Sequence, residues 1–398
     1  MIIGVDANEA NVRERVGANI YAYNILCELH KIISNLKSQK SKPNVKCKIY
    51  LKNEPLSDLP PENENWQYKV FGPGKLWTQW RLPLELYLER EKPAVFFTPG
   101  HYAPRFSPVP TVVSIMDLAF LRFPQDFRHD DLSQLIAWTE YSVKKAAHIL
   151  AISEATKQDI MEFYKIPSER ITVTYPGYDN KRFMIYDLRF KNKIQEIKKN
   201  YEVKGDYLIY IGTLQPRKNL VRLIKTFSYL QKDPVFQNRP GLSLVIVGKK
   251  GWLYDEIFKT VKELNLEDKV IFTGFVPDDD LPLLLGGAQA LILPSLYEGF
   301  GIPVAEAMAC GVPVVVSRVS SLPEIAGKAG IYIDDPESGE NISQALLKVL
   351  KLTDQERKRL VERGLERVKQ FSWEKCARET LKILLEETKD SAARSNGK

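Results

Sequence analysis

Pro294-Ser295-Leu296-Tyr297-Glu298-Gly299-Phe300-Gly301-Ile302-Pro303-Val304-Ala305-Glu306-Ala307-Met308-Ala309-Cys310-Gly311 is the stretch on which the reading of this chain turns. It follows the apolar run Ala290–Leu293, so it begins where a buried strand ends. Gly299 and Gly301 let the backbone turn and let a ligand approach closely. Pro303 suits the first turn of a helix and Gly311 its stop. A short helix that starts beside a glycine turn at the rim of a sheet offers unpaired N–H groups and the positive end of its dipole. That arrangement matches a diphosphate. Glu298 falls in the turn and Glu306 within the helix, so two carboxylates address one bound molecule from different sides. Carboxylates repel a diphosphate, so their partners are hydroxyls of a sugar and a ribose. A sugar nucleotide offers both. The plainer reading is a glycine turn with one surface acid and one helix-facing acid; both acids at this spacing weigh against it.

Outward from this stretch, short apolar runs alternate with amphipathic helical segments. Strands are expected at Ile2–Ala7, Cys47–Leu51, Tyr68–Phe71, Ala94–Thr98, Thr111–Met116, Ile149–Ile152 and Ile171–Tyr175. A second series follows at Tyr207–Thr213, Leu242–Val247, Val270–Phe275, Ala290–Leu293, Val312–Ser317 and Ile331–Ile333. Continuous Val/Ile/Leu runs joined by helices indicate buried parallel sheets with crossover helices. The expected fold is α/β, with two Rossmann-like domains facing across a cleft. The first covers 1–178, a polar linker and entry helix 179–204, the second 205–371, a C-terminal helix 372–388 that crosses back to the first domain, and a small polar tail 389–398. Ligands of such sheets sit beyond the carboxyl ends of the strands, at the switch point. Ser372 is expected to cap the C-terminal helix.

Composition narrows the classes. A chain of 398 residues, 44% hydrophobic and 27% charged, is globular and long enough for two cores. Cys27, Cys47, Cys310 and Cys376 are scattered, which argues against a zinc site or a disulfide framework. The first residues enter a strand without the basic stretch and apolar segment of a signal peptide, and no run of about 18 apolar residues exists. A cytoplasmic location is expected, with peripheral contact at the inner membrane face as an alternative. Net charge is +7, with Lys37, Lys40, Lys42, Lys46 and Lys48 clustered. The cluster reads as a solvated helix end or as a surface for anionic membrane or a phosphorylated substrate. No nucleic-acid module accompanies it. Trp77 and Trp80, with Leu82, Leu84, Leu86 and Leu88, form an apolar stretch read mainly as interior packing, with a hydrophobic acceptor or membrane-facing surface as the other reading.

The spacing of Glu298 and Glu306 resembles the Glu-x7-Glu motif of retaining GT-B glycosyltransferases, and the resemblance extends over nearly the whole chain. It implies that Glu298 contacts the transferred sugar, that Glu306 binds ribose, and that backbone groups of Phe300, Gly301 and Ile302 hold sugar and phosphate. Gly212-Thr213-Leu214-Gln215-Pro216-Arg217-Lys218 follows the first strand of the second half. The resemblance sets Arg217 and Lys218 against the phosphates, where a leaving diphosphate gathers charge. Thr213 stands where many members carry Arg. Phe275 and Val276 are expected in a base-binding loop, and Gly17 near the donor phosphates, with Ala18 in place of a second glycine. The loop 12–16, with Arg13 and Arg15, reads as a closing loop or a solvated one. Met116 stands where relatives have a donor-touching His; Asp117 and His101 are acceptor-side candidates. Asp278, Asp279 and Asp280 read as an acidic helix start rather than a metal site, and no metal or cofactor is expected.

The function implied is a metal-independent retaining hexosyltransferase whose partners are a nucleotide-sugar and a glycan, lipid-linked glycan or small acceptor. The 212–219 segment resembles mannosyltransferases of surface polysaccharide assembly, so GDP-mannose leads and a UDP-hexose follows. The rivals are a phosphorylase or epimerase on the same architecture, and a non-catalytic sugar-nucleotide-binding subunit.

Overall fold

A computed structural model describes residues 1–36, 45–72, 74–183 and 191–396. The chain forms two compact units. Unit 1 comprises Met1–Leu121, His129–Gly177 and Ser372–Lys398; unit 2 comprises Arg122–Arg128 and Tyr178–Phe371.

Unit 1 carries seven strands: β1 (Ile2–Asp6), β2 (Lys46–Leu51), β3 (Trp66–Val70), β4 (Val95–Thr98), β5 (Thr111–Ile115), β6 (His148–Ala151) and β7 (Ile171–Val173). Their order is β3-β2-β1-β4-β5-β6-β7, every pairing parallel. Unit 2 carries β8 (Tyr207–Ile211), β9 (Ser243–Val247), β10 (Val270–Gly274), β11 (Ala290–Leu293), β12 (Val314–Ser317) and β13 (Gly330–Ile333). Their order is β10-β9-β8-β11-β12-β13, again all parallel. Each expected strand is present, its ends moved by at most two residues, because the inner strands are buried on both faces and so read as unbroken apolar runs. The chain reverses its direction of travel between β1 and β4, and again between β8 and β11. Those are the two switch points.

Of residues 179–204, expected as a linker and entry helix, the described ones fall in unit 2, and the helix is Lys191–Asn200, which packs on the helix Leu281–Gly286. Only 184–190 of that stretch lie outside the described residues. The segment Arg122–Arg128 joins unit 2 through Phe127, whose ring lies 5.6 Å from that of Trp252, and through the Trp252 indole N–H donating to the Asp126 carbonyl. The helix Trp373–Asn396 packs on the helix Ala18–Leu36 of unit 1. Ser372 Oγ accepts from the Lys375 N–H at 3.4 Å, the expected cap.

The Trp77–Leu88 stretch departs from the interior reading. Trp77, Leu82 and Leu86 are buried with Tyr50 and Phe96, whereas Trp80, Leu84 and Leu88 are exposed. The five-residue π-helical turn Trp77–Arg81 leads into the helix Leu82–Leu88, and only one side of that helix meets the sheet. Of the lysine cluster, Lys37, Lys40 and Lys42 lie outside the described residues. Lys48 is in β2 and pairs with Glu89 at 2.8 Å, a structural role.

Candidate functional site

Because β8 and β11 are parallel neighbours, the segments that leave their carboxyl ends emerge side by side. The 212–219 segment leaves β8, and 294–301 leaves β11. Backbone bonds tie the adjoining loops: Gly212 N–H to Val247 O, Leu214 N–H to Lys249 O, Gly248 N–H to Gly274 O and Gly251 N–H to Leu214 O. Gly248 is needed here. Its φ is +145°, and a Cβ would come within 1.9 Å of the Gly212 carbonyl oxygen.

A 3-10 turn, Pro216–Lys218, then presents the cations. Asn219 ends it in the left-handed region, φ 61°, and its Nδ2 donates to Pro294 O at 3.0 Å and Pro336 O at 2.7 Å. The turn is thereby locked to the β11 exit. Lys218, 7% exposed, reaches Glu298, 8% exposed: Nζ lies 2.6 Å from Oε1. Ser295 Oγ donates to the same oxygen at 2.7 Å. Arg217 Nη1 donates to Tyr297 O at 2.9 Å and lies 3.9 Å from Glu298 Oε2. Burial alone would raise the Glu298 carboxyl. The charges of Lys218 and Arg217, with hydrogen bonds from Lys218 and Ser295, outweigh burial and hold it below the usual range. Two serines fix the glutamate backbone: the Glu298 N–H donates to Ser320 Oγ, and Ser321 Oγ donates to the carbonyls of Glu298 and Phe300.

Gly301 is the N-cap of the helix Ile302–Ala309, with φ +95°. Pro303 sits in the first turn, and Gly311 turns the chain out at φ +69°. Gly299 is not in the left-handed region, so the turn uses one glycine conformationally, not two. Glu306 occupies the middle of this helix. Burial pushes its carboxyl up to about 7; Arg182 opposes that, while Asp278 and Asp179 add to it. The two acids therefore sit in opposite electrical surroundings, Glu298 as a paired carboxylate and Glu306 poised near neutrality.

The remaining unit 2 candidates divide. Phe275 is exposed, with Lys249 Nζ 4.9 Å from its ring centre; Val276 is buried. The Phe300 side chain packs edge-on against Phe371 at 5.4 Å, so only its backbone remains for a ligand. The expected acidic helix start is not formed as drawn: Asp280 makes no side-chain cap, and instead accepts from Tyr201 Oη at 3.0 Å, while Asp278 pairs with Arg182 at 3.0 Å. Among the described residues no three His, Cys, Asp or Glu side chains are grouped to hold a metal ion.

Unit 1 has its own cavity, of about 300 Å³, at the β1/β4 switch point. Asp6 and Thr98, at the ends of those strands, line it with Asn8, Glu9, Lys52, His101, Tyr102 and Trp138. Asp6 accepts from the Asn8 N–H at 3.0 Å and from its Nδ2 at 2.7 Å. Burial nevertheless raises its carboxyl to about 6, against those bonds and Lys52. Burial lowers the His101 imidazole, although Asp117 opposes it, and its Nδ1 is buried without a hydrogen-bond partner. Asp117 does not line the cavity; its Oδ1 accepts from the Ala119 N–H at 3.0 Å as a local turn cap. Gly17 sits at φ +51° with open space where a Cβ would be. Arg15 is not swinging at a loop tip: it pairs with Asp58 and stacks on the Tyr23 ring at 3.8 Å. Met116 is core, its carbonyl accepting from Thr156.

Sequence reasoning missed Ser320, Ser321, Asn219 and the Asp6 pocket. An acid closing the apolar run Ile2–Val5 was the available sign of Asp6.

The pattern described as "Glycosyl transferases group 1" matches residues 192–367, and that of "Glycosyltransferase Family 4" matches 56–182. The O-antigen chain mannosyltransferase B of Escherichia coli is 33% identical over 271 residues, 68% of this chain and 68% of that one. The chain belongs to the glycosyl transferases group 1 family. The serotype-specific mannosyltransferase WbdA of E. coli is 30% identical over 59% of this chain but only 28% of its own length. Two solved structures share the fold. Sucrose-phosphate synthase from Thermosynechococcus elongatus has a TM-score of 0.73 at 17% identity, covering 97% and 98% of the two chains. Anabaena HepE, solved with UDP and glucose, has a TM-score of 0.69 at 18% identity, covering 96% and 98%. This glycosyltransferase thus has the two-domain α/β fold of the GT-B enzymes, with its buried Lys218–Glu298 pair at a switch point.

Proposed function

We propose that this transferase moves a mannosyl group from GDP-mannose to a glycan hydroxyl, with retention of configuration and without a metal. One observation carries the site assignment: the buried Lys218–Glu298 contact of 2.6 Å, beside the start of the helix Ile302–Ala309. The choice of mannose is supported by the 33% identical relative, the O-antigen chain mannosyltransferase B of E. coli.

The diphosphate is held by Arg217, Lys218 and the N–H groups of Gly301 and Ile302, the positive end of the helix. Glu298, kept ionised, accepts from hydroxyls of the mannosyl ring and turns its anomeric carbon toward the acceptor. Glu306 takes the ribose hydroxyls. No covalent nucleophile is invoked. The bond from the anomeric carbon to phosphate breaks, the acceptor oxygen forms its bond on the same face, and its proton passes to the departing phosphate oxygen. Lys218 and Arg217 stabilise the charge that gathers on that phosphate. The unit 1 cavity receives the acceptor, with neutral His101 and the Asp6–Asn8 turn as its polar partners. A thermal-shift comparison of GDP, GDP-mannose, UDP and UDP-glucose tests the donor. A ligand that binds only the folded state raises Tm, so GDP and GDP-mannose alone are expected to do so. A shift confined to the uridine compounds would overturn the donor assignment.

A further inference from the structure

The helix Leu82–Leu88 and the turn before it are apolar on both sides. The inner side is spent on the core. On the outer side Trp80 and Leu88 are each 69% exposed, and Leu76, Leu84 and Tyr87 are about half exposed. Leu76, Trp80, Leu84 and Leu88 are spaced four apart, so they form one stripe. A helix that is apolar all round is ordinarily covered on all sides. Contiguous patches of this kind mark sites of association.

We propose that this stripe docks on an anionic phospholipid bilayer, seated at the level of the headgroups. The charges around it fit that occupant. The acids of the helix face inward, where they are neutralised: Glu89 by Lys48 at 2.8 Å and Lys69 at 3.2 Å, and Glu85 by Lys69 at 2.8 Å and Arg81 at 2.8 Å. The cations Lys75, Arg90 and Lys92 are exposed at the two ends of the stripe, with the exposed acid Glu91 between the last two in sequence. Lys92 Nζ also stands 5.7 Å from the Tyr87 ring centre. Trp and Tyr among leucines, flanked by Lys and Arg, is the composition of an interfacial helix. A second copy of the chain fits less well. Five side chains are few against the roughly 20–30 residues a side of a stable interface. A two-fold contact through the stripe would also set its end cations against one another.

The position of the stripe gives the docking a consequence. Leu76, Trp77 and Gln79, which lead into it, also line the unit 1 cavity. The mouth of that cavity would therefore open at the lipid surface, where an acceptor carried on a lipid anchor presents its sugar. The docking itself does not depend on the reaction assigned above, and its test needs no substrate.

The full chain is sedimented with vesicles of mixed phosphatidylglycerol and phosphatidylcholine, and with phosphatidylcholine alone. Wild type is expected to partition onto the anionic vesicles, less onto the neutral ones, and less at raised salt. Trp80→Ser, Leu84→Ser and Leu88→Ser combined are expected to lower that partition at least tenfold, with circular dichroism and Tm unchanged because all three side chains are exposed. Arg90→Glu with Lys92→Glu removes the charge contribution alone and is expected to abolish the preference for anionic vesicles. Absence of wild-type binding, or equal binding by the triple variant, overturns the proposal. A concentration-dependent dimer lost in the triple variant, without vesicle binding, overturns it in favour of self-association.

Discussion

Replacing Lys218 by methionine keeps most of the side chain's volume but removes the charge that faces Glu298. The carboxylate is 8% exposed, and its Oε1 accepts from Lys218 at 2.6 Å and from Ser295 at 2.7 Å. Removing one partner of a buried pair costs about 3–5 kcal/mol, because the other charge remains uncompensated. Arg217 stays 3.9 Å from Oε2, which places Lys218→Met near the lower end, about 3 kcal/mol. For a unit of this size that is a fall in Tm of about 6–12 °C. The penalty should also depend on pH. In wild type the depressed Glu298 pKa contributes stability above the unfolded value of 4.5, lost as pH falls through the folded pKa. In the variant burial is left to raise the carboxyl, so the folded state takes up a proton more readily than the unfolded one. The deficit should shrink as the pH is lowered from about 8 to about 5. Urea denaturation of both proteins at the two pH values, followed by circular dichroism, reads this directly. A deficit under about 1 kcal/mol, or one equal at both pH values, would refute the view of Lys218 and Glu298 as a mutually dependent buried pair.

Glu306 should act with the opposite sign. Its folded pKa is raised to about 7, so its stability contribution is full below the unfolded value of 4.5 and falls as pH rises toward 7. Glu306→Gln should raise Tm at pH 8, by an amount equivalent to at most about 3 kcal/mol, and leave it unchanged at pH 4.5; an equal effect at both pH values would contradict the assignment. Gly248→Ala places a methyl 1.9 Å from the Gly212 oxygen at φ +145°, and should lower Tm and remove any nucleotide-induced shift. An unchanged nucleotide shift would mean that the stitched loops are not what holds the donor site. His101→Ala should lower kcat/KM for acceptor without altering GDP-mannose binding; a matched loss of both would place His101 outside the acceptor pocket.

What could be read in the sequence follows the physics of burial. Both sheets were legible because strands buried on both faces must be apolar throughout, and the helix starting at Ile302 because Gly301, Pro303 and Gly311 each have one dominant use. Glu298, Arg217 and Lys218 were legible as types at strand ends, but not their contact. That contact depends on Asn219 locking one loop to another across 75 positions of sequence, which no local pattern records. Arg122–Arg128 joins unit 2 through long-range contacts such as Trp252 with Phe127 and Asp126, and Tyr297 with Phe123, equally invisible locally. Trp80 and Leu84 depart from the main, interior reading for a different reason. Periodicity marks an apolar face but not whether a core is there to meet it, and this helix has two such faces.

The central claim is that Glu298 and Lys218 serve transfer from GDP-mannose, and release of nucleotide in the presence of a mannose-bearing acceptor tests it most directly. Methyl α-mannoside and short mannose oligosaccharides are the probes, with GDP-mannose, UDP-glucose and UDP-galactose offered in parallel. Acceptor-dependent release of GDP is expected for wild type, with loss of that release in folded Glu298→Gln and Lys218→Ala. Release of UDP instead, or undiminished GDP release in both variants, would contradict the account.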